Sequence, residues 1–334
     1  MPFEADGKYA FIIEYANAIL WEILLSVRIY IKKPFHIIHS ANPPDHIFLI
    51  ALLYKTFGVK FIFDHHDICP ENYVAKFGRK DFFYRILIIM ERLSLKIANI
   101  IISTNDSYKN IAVARGNRNR EDVFVVRNGP QLSNIGNVIP NKKLKSGFKY
   151  LVTYVGVIGN QEGIDKLLRV IDYIINVKKI LNIRFVIMGT GPHLNKMIEM
   201  AQQMRLDKWV TFTGYIPYKD FYEMLATSDL CVNPEPSNEF TDKSTMLKIM
   251  DYMTFSKPIV QFETKEGKVT AGKSAVYIKE NDEAKFAEAI IELLSDKIKR
   301  NNMGAIGRKR IEEKLNWEIQ KKNLVKAYKS LNIH

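Results

Sequence analysis

Short apolar runs alternate with longer helix-spaced stretches along this 334-residue chain, and most runs end in glycine, proline, asparagine or aspartate. In the first part, strands are predicted at 35–39, 60–63, 100–103 and 123–126. Helices are predicted at 45–57, 81–97 and 107–115, the first stopped by Gly58 and the last by Gly116. Strands this short and this apolar suit a parallel sheet covered by helices on both faces. A polar stretch at 131–147 reads as a linker, and a second α/β series follows it. Its predicted strands are 150–155, 184–188, 210–213, 230–233 and 259–262. Its predicted helices are 164–179, 193–204, 221–227, 246–254 and 284–294, with a final helical region at 303–331. The expected fold class is therefore α/β, with two facing Rossmann-like domains built on parallel sheets. The expected domains are 1–140 and 147–312, with a helix at 313–334 packing back toward the first.

The stretch at 9–31, YAFIIEYANAILWEILLSVRIYI, has the length of a membrane span. Glu14, Asn17, Glu22 and Arg28 interrupt it, so a largely buried helix packed on a sheet is favoured over a span or an interfacial anchor. Hydrophobic residues make up 47% and charged residues 25%, which permits two large cores. The formal net charge of +13 leaves three partner classes: nucleic acid, an anionic membrane face and phosphorylated substrates. With no RNA-binding aromatic motif and no zinc-finger spacing, nucleic acid is set aside. Cys69 and Cys231 are too far apart in sequence to suggest a metal or redox motif, which fits a reducing, cytoplasmic setting.

Three groups of residues could carry chemistry. Gly156-x-x-Gly159 and Gly189-x-Gly191 each follow a predicted strand and precede a predicted helix. Such turns bring backbone N–H groups to a phosphate, or are simply tight β-to-α turns. Neither is the G-x-G-x-x-G fingerprint, so a nicotinamide cofactor is not expected. The second group is the run Asp242 to Asp251. Ser244 or Thr245 is expected to cap the next helix, with Lys248 one turn on and Asp251 on the same face. A cation for a diphosphate and a carboxylate for ribose hydroxyls would then share one cleft; the plain alternative is a surface pair. The third group, Asp64-His65-His66-Asp67, ends a strand, and a histidine there can meet an acceptor, move a proton or ligate a metal. Neighbouring strand residues face opposite ways, and no Asp-x-Asp is present, so no essential divalent cation is expected.

On the segments YVGVIGNQEGIDKLL, VIMGTGP, FTGYIP, NPEPSNEFTDKSTMLKIMDYMTFSKPIVQF, HHDICPE and VVRNGP, the chain resembles the retaining GT-B glycosyltransferases of family 4 (group 1), of the bacterial surface-polysaccharide type. The resemblance implies a nucleoside diphosphate-sugar donor as substrate, no cofactor, and a glycan or polyprenyl-diphosphate-linked acceptor, met at the inner face of the cell membrane. It implies that the Gly156–Gly163 loop and Ser244, Thr245, Met246 and Lys248 surround the diphosphate. Asp251 would bind ribose, Tyr215 and Ile216 would contact the base, and His66 and Asp67 would stand beside the transferred sugar.

Three departures qualify the match. Lys243 stands where the first glutamate of the family's acidic pair belongs, with Asp242 beside it. Val157 and Gln161-Glu162 replace the usual basic pair of the first loop. No opening strand with a glycine-rich acceptor loop precedes Tyr9, so the first domain is expected to lack two or three βα units. These departures leave two rival readings: a truncated or degenerate nucleotide-binding partner of a transferase, and a GT-B sugar-nucleotide epimerase.

Overall fold

A computed structural model describes the backbone of residues 8–332 and the side chains of residues 17–332. The chain divides into two compact units, residues 1–74, 79–126 and 323–334 forming one, and 75–78 with 127–322 the other.

The first unit opens with α1 (Lys8–Lys32), then β1 (Ile37–Ala41), a 3₁₀ turn, α2 (Phe48–Lys55), β2 (Lys60–His65) and α3 (Cys69–Phe77). It continues through α4 (Phe82–Ile97), β3 (Ile100–Ser103), α5 (Asp106–Gly116) and β4 (Val123–Val125). The four strands pair in parallel in the order β1-β2-β3-β4. Phe61, Phe63 and Ile101 of the sheet pack with Phe48 and Leu95 in a core on one face. Helix starts follow local chemistry: the Asp81 carboxylate accepts the N–H groups of Phe83 and Tyr84, and Asn105 accepts that of Tyr108.

Behind the sheet lies a charged network. Glu91, fully buried, accepts from His65 Nε2 at 2.9 Å and pairs with Arg115, which also pairs with Glu71. Burial works against the Glu91 charge, but His65 and Arg115 outweigh it and hold its carboxyl below the usual range.

The first helix departs from expectation. α1 spans the predicted stretch, but between residues 17 and 32 most positions are exposed, including Leu20, Trp21, Leu24, Leu25 and Ile31. Among the described side chains one edge is covered: Ile23 and Tyr30 pack against Ile50, Tyr54 and Val59, and the Tyr54 hydroxyl donates to Ser26 Oγ at 2.8 Å. A nearly continuous apolar run does not fix which face is covered, and one short neighbouring helix covers one strip. Among the described residues, no helix is long and apolar enough to cross a membrane.

The second unit carries β5 (Tyr150–Val155), α6 (Ile164–Asp172), β6 (Ile183–Met188), α7 (Leu194–Gln203), β7 (Val210–Gly214), α8 (Tyr218–Thr227) and β8 (Leu230–Asn233). Then come α9 (Leu247–Thr254), β9 (Ile259–Phe262), α10 (Lys265–Ala271), β10 (Ala275–Ile278), α11 (Glu283–Ser295) and α12 (Lys297–Arg310). A π-helical turn ends α12, and α13 (Trp317–Lys329) begins in this unit and ends in the first. The six strands are parallel in the order β10-β9-β8-β5-β6-β7, so connectivity reverses direction between β5 and β8. Cores cover both faces, one around Tyr154, Phe185 and Phe262, the other around Leu151, Met250 and Tyr252. The helical region expected at 303–331 consists of two helices, separated at Asn316, whose extended backbone ends the π turn.

Candidate functional site

Open α/β sheets bind ligands outside the carboxyl ends of the strands, at the point where strand order reverses. The second unit has a cleft of about 620 Å³ there, lined by Gly156 after β5, Gly189 after β6, Gly214 at the end of β7 with Tyr215 and Ile216 after it, and Leu247, Met250 and Asp251 of α9. Tyr218, Phe221 and Tyr222 of α8 complete one side.

Two loops form the floor and are packed backbone to backbone. The Gly156 N–H donates to the Met188 carbonyl at 3.0 Å, and the Ile158 N–H to the Thr190 carbonyl at 3.0 Å. Gly189 has φ +136°, and a Cβ placed on it would lie 1.9 Å from the Gly156 carbonyl oxygen. A Cβ on Gly156, at φ +148°, would meet the Tyr154 hydroxyl at 2.7 Å and Lys248 Nζ at 3.1 Å. Both glycines are therefore required by close packing, and that same packing exposes their backbone to the cleft.

Lys248 lies directly beneath Gly156. Its ammonium pairs with the Glu235 carboxylate, sits 3.3 Å from the Tyr154 hydroxyl and lies 4.8 Å from the Tyr154 ring centroid. Burial disfavours its charge, but Glu235 and Tyr154 outweigh burial and raise its pKa above that of an ordinary lysine. Burial lifts the Tyr154 hydroxyl to about 12. Asp251, one turn further along α9, is a cleft residue with no hydrogen bond to its carboxyl among the described residues. Burial alone pushes it up to about 7.

The remaining candidates are distributed as follows. Tyr215 and Ile216 line the cleft, and Tyr215 is largely exposed. Gly159 and Gly191 are not among the residues that line the cleft; a Cβ on Gly159 would meet Glu162 and one on Gly191 would meet Ile158. Asp242 is turned to α10, where its carboxylate accepts the Lys265 N–H at 2.7 Å. Neither Ser244 nor Thr245 caps α9. The cap position is Met246, with no side-chain bond, while the Ser244 hydroxyl donates back to the Phe240 carbonyl at 2.9 Å. The chain turns through 239–243 before the helix, which starts at Leu247, one residue later than predicted. His66 and Asp67 are in the first unit, where Asn42 Oδ1 accepts both of their backbone N–H groups. Among the described residues, no group of three or more histidine, cysteine or acidic side chains converges on a metal position.

Two parts of the site escape sequence reasoning. Glu235 is thirteen residues before Lys248, across an irregular loop, although its place just after β8 puts it at a strand's carboxyl end. The aromatic side chains of α8 read as ordinary helix positions.

Residues 137–310, just over half of the chain, match the family model described as glycosyl transferases group 1. A GDP-mannose-dependent monoacylated α-(1-6)-phosphatidylinositol monomannoside mannosyltransferase of Corynebacterium glutamicum is 24% identical over 173 residues, covering 51% of this chain and 44% of that one. The capsular polysaccharide biosynthesis glycosyltransferase CapM of Staphylococcus aureus is 22% identical over 260 residues, covering 75% of this chain and 66% of that one. The chain thus spans two thirds or less of these relatives' own length. The solved structure of HepE from Anabaena in complex with UDP has the same fold, with TM-score 0.75, 13% identity, and coverage of 92% of this chain and 82% of that one. From the family match over its second unit, the chain belongs to the glycosyl transferases group 1 family.

Proposed function

We propose that the cleft of the second unit binds a nucleoside diphosphate-sugar and that the chain transfers the sugar, with retention, to a glycan or lipid-linked acceptor in cell-surface polysaccharide assembly. One observation carries this reading: Gly156, Gly189 and Asp251 meet on one cleft at the strand-order reversal, with the Lys248 ammonium directly beneath. Asp251 accepts from the ribose hydroxyls, and Tyr215 and Ile216 flank the base. Lys248, shared with Glu235, and the exposed loop backbone offset the charge that develops on the diphosphate.

In the reaction, the bond from the anomeric carbon to the diphosphate oxygen breaks and a bond to the acceptor hydroxyl oxygen forms on the same face. The hydroxyl proton passes to the departing diphosphate. Through the family resemblance, His66 and Asp67 are read as the groups beside the sugar. The assignment to family 4, a hexosyl or N-acetylaminosugar donor, and chemistry that uses no divalent cation or other cofactor belong to the same reading. The formal charge of +13 supports an anionic membrane face on the cytoplasmic side as the place where the acceptor is met. The C. glutamicum relative, named for a phosphatidylinositol mannoside substrate, supports a lipid-linked acceptor.

The test is transfer of labelled sugar from UDP- and GDP-sugars to lipid-linked acceptors. Transfer that depends on Asp251 is expected. Nucleotide binding without transfer favours a non-catalytic partner, isomerised donor without acceptor favours an epimerase, and no nucleotide binding at all refutes the reading.

A further inference from the structure

Four polar side chains of the first unit form one continuous line of polar contacts, two hydrogen bonds and one ion-pair contact, that ends at His66, and their role rests on the reading of His66 as a group beside the transferred sugar. Tyr328 is on α13, His39 on β1, Asp64 on β2, and His66 comes directly after β2. The Tyr328 hydroxyl is 2.6 Å from His39 Nδ1, and His39 Nε2 is 3.1 Å from Asp64 Oδ2. His66 Nε2 is 3.1 Å from the same Oδ2.

The protonation pattern is set by the chemistry. Burial opposes the Asp64 charge, but His39 and His66 prevail and hold its carboxyl below the usual range. An ionised carboxylate only accepts, so both Nε2 atoms donate to it. Neutral His39 then has an accepting Nδ1, and the Tyr328 hydroxyl donates there. His66 is left with an Nδ1 that has no partner among the described residues, on a side chain 37% exposed. The His66 backbone is fixed as well, because Asn42 Oδ1 accepts its N–H at 2.7 Å and that of Asp67 at 3.1 Å.

We propose that Asp64, His39 and Tyr328 are positioning residues that hold the His66 ring with Nε2–H bonded to Asp64 and Nδ1 left for the substrate, so that the C-terminal helix helps set the histidine read as lying beside the transferred sugar. Nδ1 then accepts a hydrogen bond from neutral His66 and donates one from the imidazolium. Asp64 favours the imidazolium, burial opposes it and Asp67 adds to it, so the ring's pKa lies above that of an ordinary histidine. The other titratable groups beside it are His39 across Asp64, Tyr328 beyond His39 and, behind the strand, the His65–Glu91 pair.

The experiment is ¹⁵N-imidazole NMR of the full chain across pH 5 to 9. Neutral His66 is expected as the Nε2–H tautomer. Asp64→Asn is expected to lower the His66 midpoint by about one pH unit. His39→Ala, which leaves Oδ2 to His66 alone, is expected to raise it; opposite signs are not the signature of a general loosening. Tyr328→Phe is expected to move the His39 Nδ1 shift, because that lone pair loses its donor. An Nδ1–H tautomer for neutral His66, or a midpoint unmoved in both Asp64→Asn and His39→Ala, overturns the proposal. An unchanged His39 signal in Tyr328→Phe removes the helix from it. These readouts need no turnover, so their failure is distinct from that of the reading of His66 as a group beside the sugar, which falls if His66→Ala transfers sugar at the wild-type rate.

Discussion

The Lys248 ammonium and the Glu235 carboxylate form an ion pair that is almost wholly buried, with side-chain exposures of 11% and 9%, against the face of Tyr154. A buried pair is weak evidence of stabilisation, but removing one partner strands the other charge. Lys248→Ala is therefore expected to cost about 3–5 kcal/mol in urea unfolding, in addition to any loss of function. The double variant Lys248→Met/Glu235→Leu is expected to recover most of that stability while still failing to bind nucleotide. Recovery of both would show that the lysine only serves the fold.

Asp251 carries a proton in the folded chain up to about pH 7, against an ordinary value of 3.8. Between those values the folded state holds a proton that the unfolded state has released, so stability falls as pH rises from about 4 to about 7. Asp251→Asn removes that loss and is expected to stabilise the chain by about 1–3 kcal/mol at pH 8. Nucleotide binding runs the other way. The carboxylate is the form that accepts two ribose hydroxyls, so wild-type affinity is expected to rise as pH passes through about 7, and the asparagine variant is expected to lose that rise. Calorimetry at pH 6 and pH 8 measures both.

Gly189→Ala places a methyl group on the Gly156 carbonyl oxygen and a side chain at φ +136°. The two loops then have to separate. A loss of roughly 2–4 kcal/mol is expected, read as a lower Tm, together with weaker nucleotide binding. Gly58→Ala, also at positive φ but with nothing within 4 Å of the added carbon, separates backbone strain from this collision.

Arg115 is the countercharge for Glu91 and Glu71. Arg115→Met is expected to destabilise the first unit by about 3–5 kcal/mol, measured by urea unfolding. The Glu91 pairing adds stability above the ordinary glutamate range, and that share is lost as pH falls through its lowered folded value.

Much of the fold is legible in the chain, for reasons that can be named. The strands Ile100–Ser103, Tyr150–Val155, Leu230–Asn233 and Ile259–Phe262 match their predicted spans because each is a largely buried apolar run bounded by turn residues. α3 escapes the pattern because its Pro70 reads as a breaker, whereas proline is tolerated in a helix's first turn. α10 and β10 escape it because Gly267 and the Gly272–Ser274 turn interrupt the periodicity. The exposure of α1 over residues 17–32 is not legible because composition does not say what covers a helix. In the cleft, α9 spacing correctly puts Lys248 and Asp251 one turn apart. What spacing cannot show is that Lys248 turns to Glu235 and that Asp242 turns to α10, since both depend on how the 234–246 loop folds.

The most direct test of the cleft is isothermal titration of UDP and of GDP into the wild-type chain and into Asp251→Asn at pH 8. One nucleoside diphosphate binding at a single site, at least about tenfold more weakly in the variant, a difference of about 1.4 kcal/mol, is the expected result. Equal affinity in both chains, or no heat with either nucleotide, contradicts the account.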